Sequence, residues 1–254
     1  MSKKIFISGS IKIRVLPDAI KEKLEVICQK NEQVLVGDAD GVDSLTQNFF
    51  CKRAYRNLTI YSIYSSPRYN SDNYISKYVF ASDEIKSMRE RQKVKDKQMS
   101  IDSDSSLVIW DGRSKGCFAN IRRALQFQKP VSIYLMSENG FIEDNDINLE
   151  YIERVYRSSV GYSASEALEQ LKRSSPNCFK STRAFNQFLV NKEVLRRENG
   201  IYLPNEGYRE FFEVTKYRGK ITGVIFKITF FDWFDKAFPC SIRNETEKFD
   251  FVDY

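Results

Sequence analysis

Residues 33–43 read Gln33-Val34-Leu35-Val36-Gly37-Asp38-Ala39-Asp40-Gly41-Val42-Asp43, a short apolar run that breaks into a glycine- and aspartate-bearing turn and then enters an amphipathic stretch reaching Arg56. An apolar run this short, closed by a turn, fits a strand covered on both faces. A helical pattern directly behind it fits a crossover to a parallel neighbour. The alternation recurs on both sides. Apolar runs at Lys4 to Ser8, Gln33 to Gly37, Leu58 to Ile63, Leu107 to Trp110 and Val131 to Leu135 predict five strands. Between them the spacing predicts helices from Pro17 to Lys30, Val42 to Arg56, Ser82 to about Ser100, and Cys117 to Gln128.

Five strands with four crossovers make residues 1–137 a three-layer, Rossmann-like parallel sheet of the α/β class. After the acidic, polar connection from Ser137 to Asn148 the composition changes. Helical patterns over Leu149 to Arg157, Ser163 to Arg173 and Thr182 to Glu198, followed by strand-type runs Glu210 to Tyr217 and Ile221 to Phe231, predict a second, small α+β domain over residues 149–254.

The chain has 254 residues, 42% of them hydrophobic and 14% aromatic, enough to bury a sizeable core. It contains no histidine, which removes Ser-His-Asp and Cys-His nucleophiles, imidazole acid–base work and His-dependent metal sites together. Chemistry must then rest on carboxylates, Lys, Arg, Tyr, Ser, Cys or backbone amides. The five cysteines, Cys28, Cys51, Cys117, Cys178 and Cys240, form no CxxC pair and read as reduced thiols. Met1-Ser2-Lys3-Lys4 ahead of Ile5-Phe6-Ile7 leaves no room for a signal-peptide apolar region, and no run approaches a membrane span, so a cytoplasmic location without a membrane partner is expected. Neither a metal nor another cofactor is expected.

In such a sheet ligands bind beyond the carboxyl ends of the strands, and three glycine-bearing loops fall there. They are Ser8-Gly9-Ser10, the Gly37 to Asp43 turn, and Asp111-Gly112-Arg113-Ser114-Lys115-Gly116. The last combines two cations with the amides of an incoming helix, an arrangement suited to phosphate; a plain strand-to-helix turn is the competing reading. The Gly37 to Asp43 turn is not an EF-hand loop, because its glycine precedes the third carboxylate and Phe49 stands where the distal glutamate belongs. Gly37 and Gly41 fit close backbone approach to a ligand, with Asp40 or Asp43 accepting its hydrogen bonds. Favouring the start of the second helix is the competing reading for each aspartate. In the charged helix Met88 to Met99, Lys95 shares a face with the two methionines and can extend past them.

The ordered set Ile7-Ser8-Gly9-Ser10, Val36 to Asp43, Lys95-Asp96-Lys97-Gln98-Met99 and Ser114-Lys115-Gly116-Cys117 resembles the SLOG superfamily of Rossmann-like proteins over about residues 4–136. That superfamily includes the "lonely guy" phosphoribohydrolases, the DNA-processing protein of natural transformation, and nucleotide-sensing domains of bacterial conflict systems. The turn at Gly37 to Asp43 is similar to the family's GGARGAD loop, and Gly116-Cys117 sits where Gly-Thr usually opens the phosphate-binding helix. Two departures stand out. Lys95, or Arg91 in another register, holds the place of the hydrolases' arginine, and Asn120 holds that of their glutamate. Asparagine cannot take a proton or stabilise an oxocarbenium ion as a carboxylate does, so the resemblance implies binding more readily than hydrolysis.

The second domain resembles winged-helix modules and the C-terminal domain of phage antirepressors over Gly161 to Thr229. This resemblance implies a recognition helix from Thr182 to Lys192, with Arg183, Asn186 and Gln187 toward base edges and Arg196 and Arg197 beside them. Residues 161–227 carry twelve Lys/Arg against seven Asp/Glu, which suits nucleic acid, whereas residues 228–254 carry three against six. Self-association is the competing use of this domain.

Three functions follow. The first is a sensor or regulator, in a bacterial or phage setting, that binds a nucleotide or nucleotide-sugar phosphate through Ser8, Gly9, Ser10, Gly37, Asp40, Gly41, Gly112, Arg113, Ser114, Lys115, Gly116 and Asn120. The second is an N-glycosidic hydrolase of a nucleoside monophosphate or NAD-like dinucleotide, using Asp40, Asp43 or Asp111 with Lys95. The third is a DNA-binding protein. A homo-oligomer is a family expectation.

Overall fold

A computed structural model describes residues 2–176 and 178–239; Cys240 lies outside the described residues. The chain divides into two compact units, residues 1–153 and 154–254.

In the first unit the elements run β1 (Lys4–Gly9), α1 (Asp18–Gln29), β2 (Gln33–Val36), α2 (Val42–Cys51), β3 (Leu58–Ser62), β4 (Ile75–Tyr78), α3 (Met88–Asp102), β5 (Ser105–Trp110), α4 (Lys115–Gln126), β6 (Val131–Leu135) and β7 (Gly140–Phe141). They form one seven-stranded sheet in the order β4-β3-β2-β1-β5-β6-β7. It is parallel from β4 to β6, and β7 alone runs antiparallel. The five expected strands are all present and two edge strands join them. All four residues of β4 are exposed, so it carries no apolar run by which to read it.

Alternation along β1 separates the layers. Ile5 and Ile7 face a core shared with Ile20, Leu24 and Ile27 of α1 and Phe49 and Phe50 of α2. Phe6 faces the other way, onto Leu35, Tyr61 and Met99 of α3, and α4 packs beside α3. Every residue of β5 is buried, as expected of a strand covered on both faces. The Ser87 hydroxyl accepts from the Glu90 amide and starts α3 six residues later than the sequence suggested.

Helix α5 (Leu149–Val160) runs across the boundary between the units. The second unit continues with α6 (Ala164–Ser174), α7 (Thr182–Asn191), β8 (Leu195–Glu198), β9 (Ile201–Pro204), β10 (Phe212–Tyr217), β11 (Lys220–Phe226) and α8 (Thr229–Ala237). Its core is largely aromatic. Phe185, Phe226, Phe230 and Phe234 are each fully buried, with ring centroids 4.9–6.3 Å apart where they meet.

Two expectations are corrected here. The helix drawn to Glu198 stops at Asn191, because Glu193 turns left-handed (φ 57°) and Leu195 pairs with Pro204 in an antiparallel hairpin. Asn199 and Gly200, both at positive φ, close that hairpin in the two-residue turn this dipeptide favours. The strand drawn to Phe231 ends at Phe226, and a helix begins at Thr229. Phe230 and Phe234 stand four residues apart on the buried face of that helix, a spacing hidden in a stretch whose aromatic content reads as strand.

Candidate functional site

The sheet reverses its winding between β1 and β5, and in open α/β sheets the crevice beyond the carboxyl ends at that point holds ligands. On the β5 side the Ser10 hydroxyl donates to Asp111 Oδ2 at 2.7 Å. The other oxygen of Asp111 accepts from the backbone amides of Arg113 (3.0 Å) and Ser114 (2.7 Å). Burial opposes ionisation of Asp111, but the Ser10 hydroxyl and these amides hold its pKa below the usual carboxylate value.

The phosphate cradle expected at Gly112 to Gly116 is partly occupied from within the protein. Two of its amides already serve the protein's own carboxylate. Ser114 caps α4 by accepting from the Cys117 amide, and the Arg113 and Lys115 side chains are exposed. Gly112 adopts φ 74°, which the tight turn requires, and Gly116 is exposed.

The glycines of the other two loops serve packing of protein on protein. A Cβ on Gly9 would stand 2.3 Å from Val42 Cγ2, so this residue lets α2 start against β1. Gly41, at φ 76°, lies where a Cβ would meet the Ser10 and Ile11 backbone at 2.6 Å. A Cβ on Gly37 would meet Asp43 Oδ2 at 2.2 Å and Lys95 Nζ at 2.9 Å. The bare backbone at residue 37 therefore makes room for a carboxylate from α2 and an ammonium from α3 at the end of β2.

Around that point lies a charge cluster drawn from four elements. Lys95 is 3% exposed and its Nζ stands 3.6 Å from Asp38 Oδ1 and 3.8 Å from Asp96 Oδ1. Asp38 is 1% exposed. Its Oδ2 accepts from the Ser62 hydroxyl (2.8 Å) and the Arg68 amide (3.2 Å), and its Oδ1 from Arg68 Nη2 (2.8 Å). Burial pushes against ionisation of Asp38, but Arg68, Lys95 and Ser62 outweigh it and hold the carboxyl at about 2. Asp43 goes the other way. Burial raises it to about 6 against the attraction of Lys95 and a hydrogen bond from the Ala39 amide, with Asp96 and Asp38 adding repulsion. Asp96 is likewise raised by burial.

Asn120 is buried and its Oδ1 accepts from Arg123 Nη1 at 2.8 Å; the same nitrogen reaches the Ser100 hydroxyl. The Ser8 hydroxyl is buried with no partner among the described residues. It lies on the Phe6 face of β1, the face toward α3. Asp40 is exposed and stands outside the cluster.

Of the residues expected from the sequence, the structure brings Gly37, Asp43 and Lys95 together, and it adds Asp38, Ser62, Arg68 and Asp96, which the sequence reading did not single out. The rule that ligands gather beyond strand ends would have pointed to the loop after β3, where Arg68 lies. That loop shows no periodicity to draw attention to it.

In the second unit Arg183, Gln187 and Arg197 are exposed on α7 and β8. Asn186 is corrected: it is 8% exposed and packs with the buried side of α7, not toward solvent. Arg196 is engaged within the β8–β9 hairpin, donating to Glu198 (2.5 Å) and the Pro204 carbonyl (2.6 Å).

No known protein family and no curated protein matches this chain. Among solved structures it is similar to DNA processing protein A from Helicobacter pylori, described for its single-stranded DNA binding mode. The match has 18% identity and a TM-score of 0.43, and covers 58% of this chain and 72% of that one. No helix among the described residues is long and apolar enough to cross a membrane.

Proposed function

We propose that the first unit binds a nucleotide or nucleotide-sugar phosphate in the crevice beyond the carboxyl ends of β1, β2, β3 and β5, acting as a sensor whose occupancy is read by the second unit. The observation that carries this reading is the meeting of Asp43 and Lys95 across Gly37, with Asp38 behind them. Buried carboxyls with displaced pKa values and a specific charge partner, gathered at strand ends, are the mark of a candidate functional site. Carboxylates there accept ribose hydroxyls and base amino groups, and cations neutralise phosphate. Titration calorimetry with AMP, ADP-ribose, NAD and cyclic oligonucleotides is the test. Absence of binding to all of them at millimolar concentration overturns the proposal.

A specific observation favours hydrolysis as a second reading. Asp43 at about 6 and Asp38 at about 2 are two carboxyls pushed apart by their surroundings, the condition that lets one carry a proton while the other stays charged. N-glycosidic cleavage would release free base from a nucleoside monophosphate or NAD-like dinucleotide, and Asp43→Asn would abolish it. An inert preparation on both substrate classes counts against this reading.

For the second unit, the order α6, α7 and then the β8–β9 hairpin supports the winged-helix resemblance, with Arg183, Gln187 and Arg197 as the exposed side chains toward a nucleic acid. Retention on a short DNA that falls steeply with salt tests it; no retention at low salt removes it.

A further inference from the structure

We infer that Arg68 is the phosphate-binding residue of the crevice, and that a phosphorylated ligand lies across it with its phosphate over β2 and β3 and its remainder toward the Ser10–Asp111 pair. This rests on the nucleotide reading of the crevice and reverses the direction suggested by the glycine-bearing loop before α4.

The cations around the crevice differ in what they can offer an anion. The α4 turn has its Arg113 and Ser114 amides donated to Asp111, so a phosphate there must displace a carboxylate already held by three hydrogen bonds. Lys95 is buried and stands among Asp38, Asp43 and Asp96; it contributes field but no solvent-facing donor. Arg113 and Lys115 are exposed, and among the described residues nothing holds their charged groups in place.

Arg68 is both fixed and open. Its amide and its Nη2 bind the two oxygens of Asp38, a carboxylate whose side chain is wholly buried, while 43% of the Arg68 side chain remains exposed. The guanidinium lies 5.6 Å from the Tyr64 ring centroid, which adds a second restraint on its plane. Nε and Nη1 have no hydrogen-bond partner among the described residues. A guanidinium held by one nitrogen, with two others unpaired and its side chain partly exposed, is a preorganised fork for a phosphate or carboxylate.

The opposite end of the crevice has the complementary chemistry. Asp111 is an acceptor, suited to hydroxyl and amino groups and repellent to phosphate. From β3 to β5 is three strand spacings, roughly 14 Å, so the two ends sort a ligand's anionic and hydrogen-donating parts. The role of Asp38 is then positioning: it aims Arg68 without touching the ligand.

The test is calorimetry on the full chain with four probes: inorganic phosphate, ribose 5-phosphate, AMP and adenosine. Wild type is compared with Arg68→Gln and Arg68→Lys, with melting curves confirming the fold. The expected result is a loss of about tenfold or more for the three phosphate-bearing probes in Arg68→Gln. Arg68→Lys should recover part of it, and adenosine affinity should stay where it was. Equal loss for AMP and adenosine would make Arg68 merely structural and overturn the inference. So would phosphate affinity that survives Arg68→Gln but disappears in Lys115→Gln, or a wild-type chain that binds no phosphate-bearing probe. Binding of phosphate and ribose 5-phosphate through Arg68, with neither AMP nor adenosine bound, would support Arg68 while removing the nucleotide reading.

Discussion

The Ser10 hydroxyl and the Asp111 carboxylate meet at 2.7 Å, joining the loop after β1 to the loop after β5 across the point where the sheet reverses. Because Asp111 also receives two amides of the turn before α4, it stands where an external anion would otherwise bind. Replacing it should therefore open an anion site. Asp111→Ala is expected to lose about 1–2 kcal/mol of stability and to gain affinity for inorganic phosphate, read by phosphorus NMR titration. Unchanged phosphate binding in this variant would show that the turn does not hold anions even when vacant.

Asp43 titrates at about 6 when folded, above its ordinary value of 3.8. A carboxyl raised by folding contributes stability that is present below about pH 4 and is lost as pH rises through about 6. Asp43→Asn, which keeps an acceptor for the Ala39 amide, is expected to raise the melting temperature relative to wild type at pH 7.5 and to lose that advantage near pH 4. A difference that is the same at both pH values would contradict the burial argument.

Asp38 behaves in the opposite sense. Held at about 2 from 3.8, it contributes stability above about pH 4 that is lost as pH falls through about 2, on the order of 2 kcal/mol. The acid limb of unfolding in Asp38→Asn should be shallower than in wild type between those values, measured by urea midpoints at stepped pH.

Lys95 faces three carboxylates and has almost no exposure. Lys95→Met leaves them without their shared cation and is expected to cost roughly 3–5 kcal/mol at neutral pH. The loss should be smaller at pH 5, where Asp43 takes up a proton. Chemical denaturation at the two pH values checks both parts.

Gly9→Ala places a methyl 2.3 Å from Val42 Cγ2 and 2.7 Å from the Ile109 carbonyl oxygen. Neither neighbour is a flexible side-chain end, so a loss of about 1–3 kcal/mol is expected, seen as a lowered denaturant midpoint. A neutral result would mean that α2 can withdraw from β1 at no cost.

The parallel sheet could be read from the sequence because its evidence is local. Apolar runs such as Val34 to Val36, followed by glycine-bearing turns and amphipathic stretches, report strand, loop and crossover from neighbouring residues alone. The edge strand Ile75–Tyr78 and the β8–β9 hairpin escaped because the first has no buried face and the first strand of the second, Leu195–Glu198, lies inside an apparently helical run that stops at the Asn199-Gly200 turn. Composition alone likewise established that chemistry without imidazole would have to rely on carboxylates, Lys, Arg, Tyr, Ser, Cys or backbone amides.

Which of those groups act together was decided only in three dimensions. Asp38, Ser62, Arg68 and Lys95 are separated by up to 57 positions and meet because β2 and β3 end beside the middle of α3. Asp43 and Asp38, alike in the sequence and five residues apart, settle at about 6 and about 2 because only one of them is matched by an arginine. The amides before α4, which spacing suggests are available, are closed by Asp111. Desolvation and hydrogen-bond partnership depend on which distant segments surround a group, and linear spacing does not encode that.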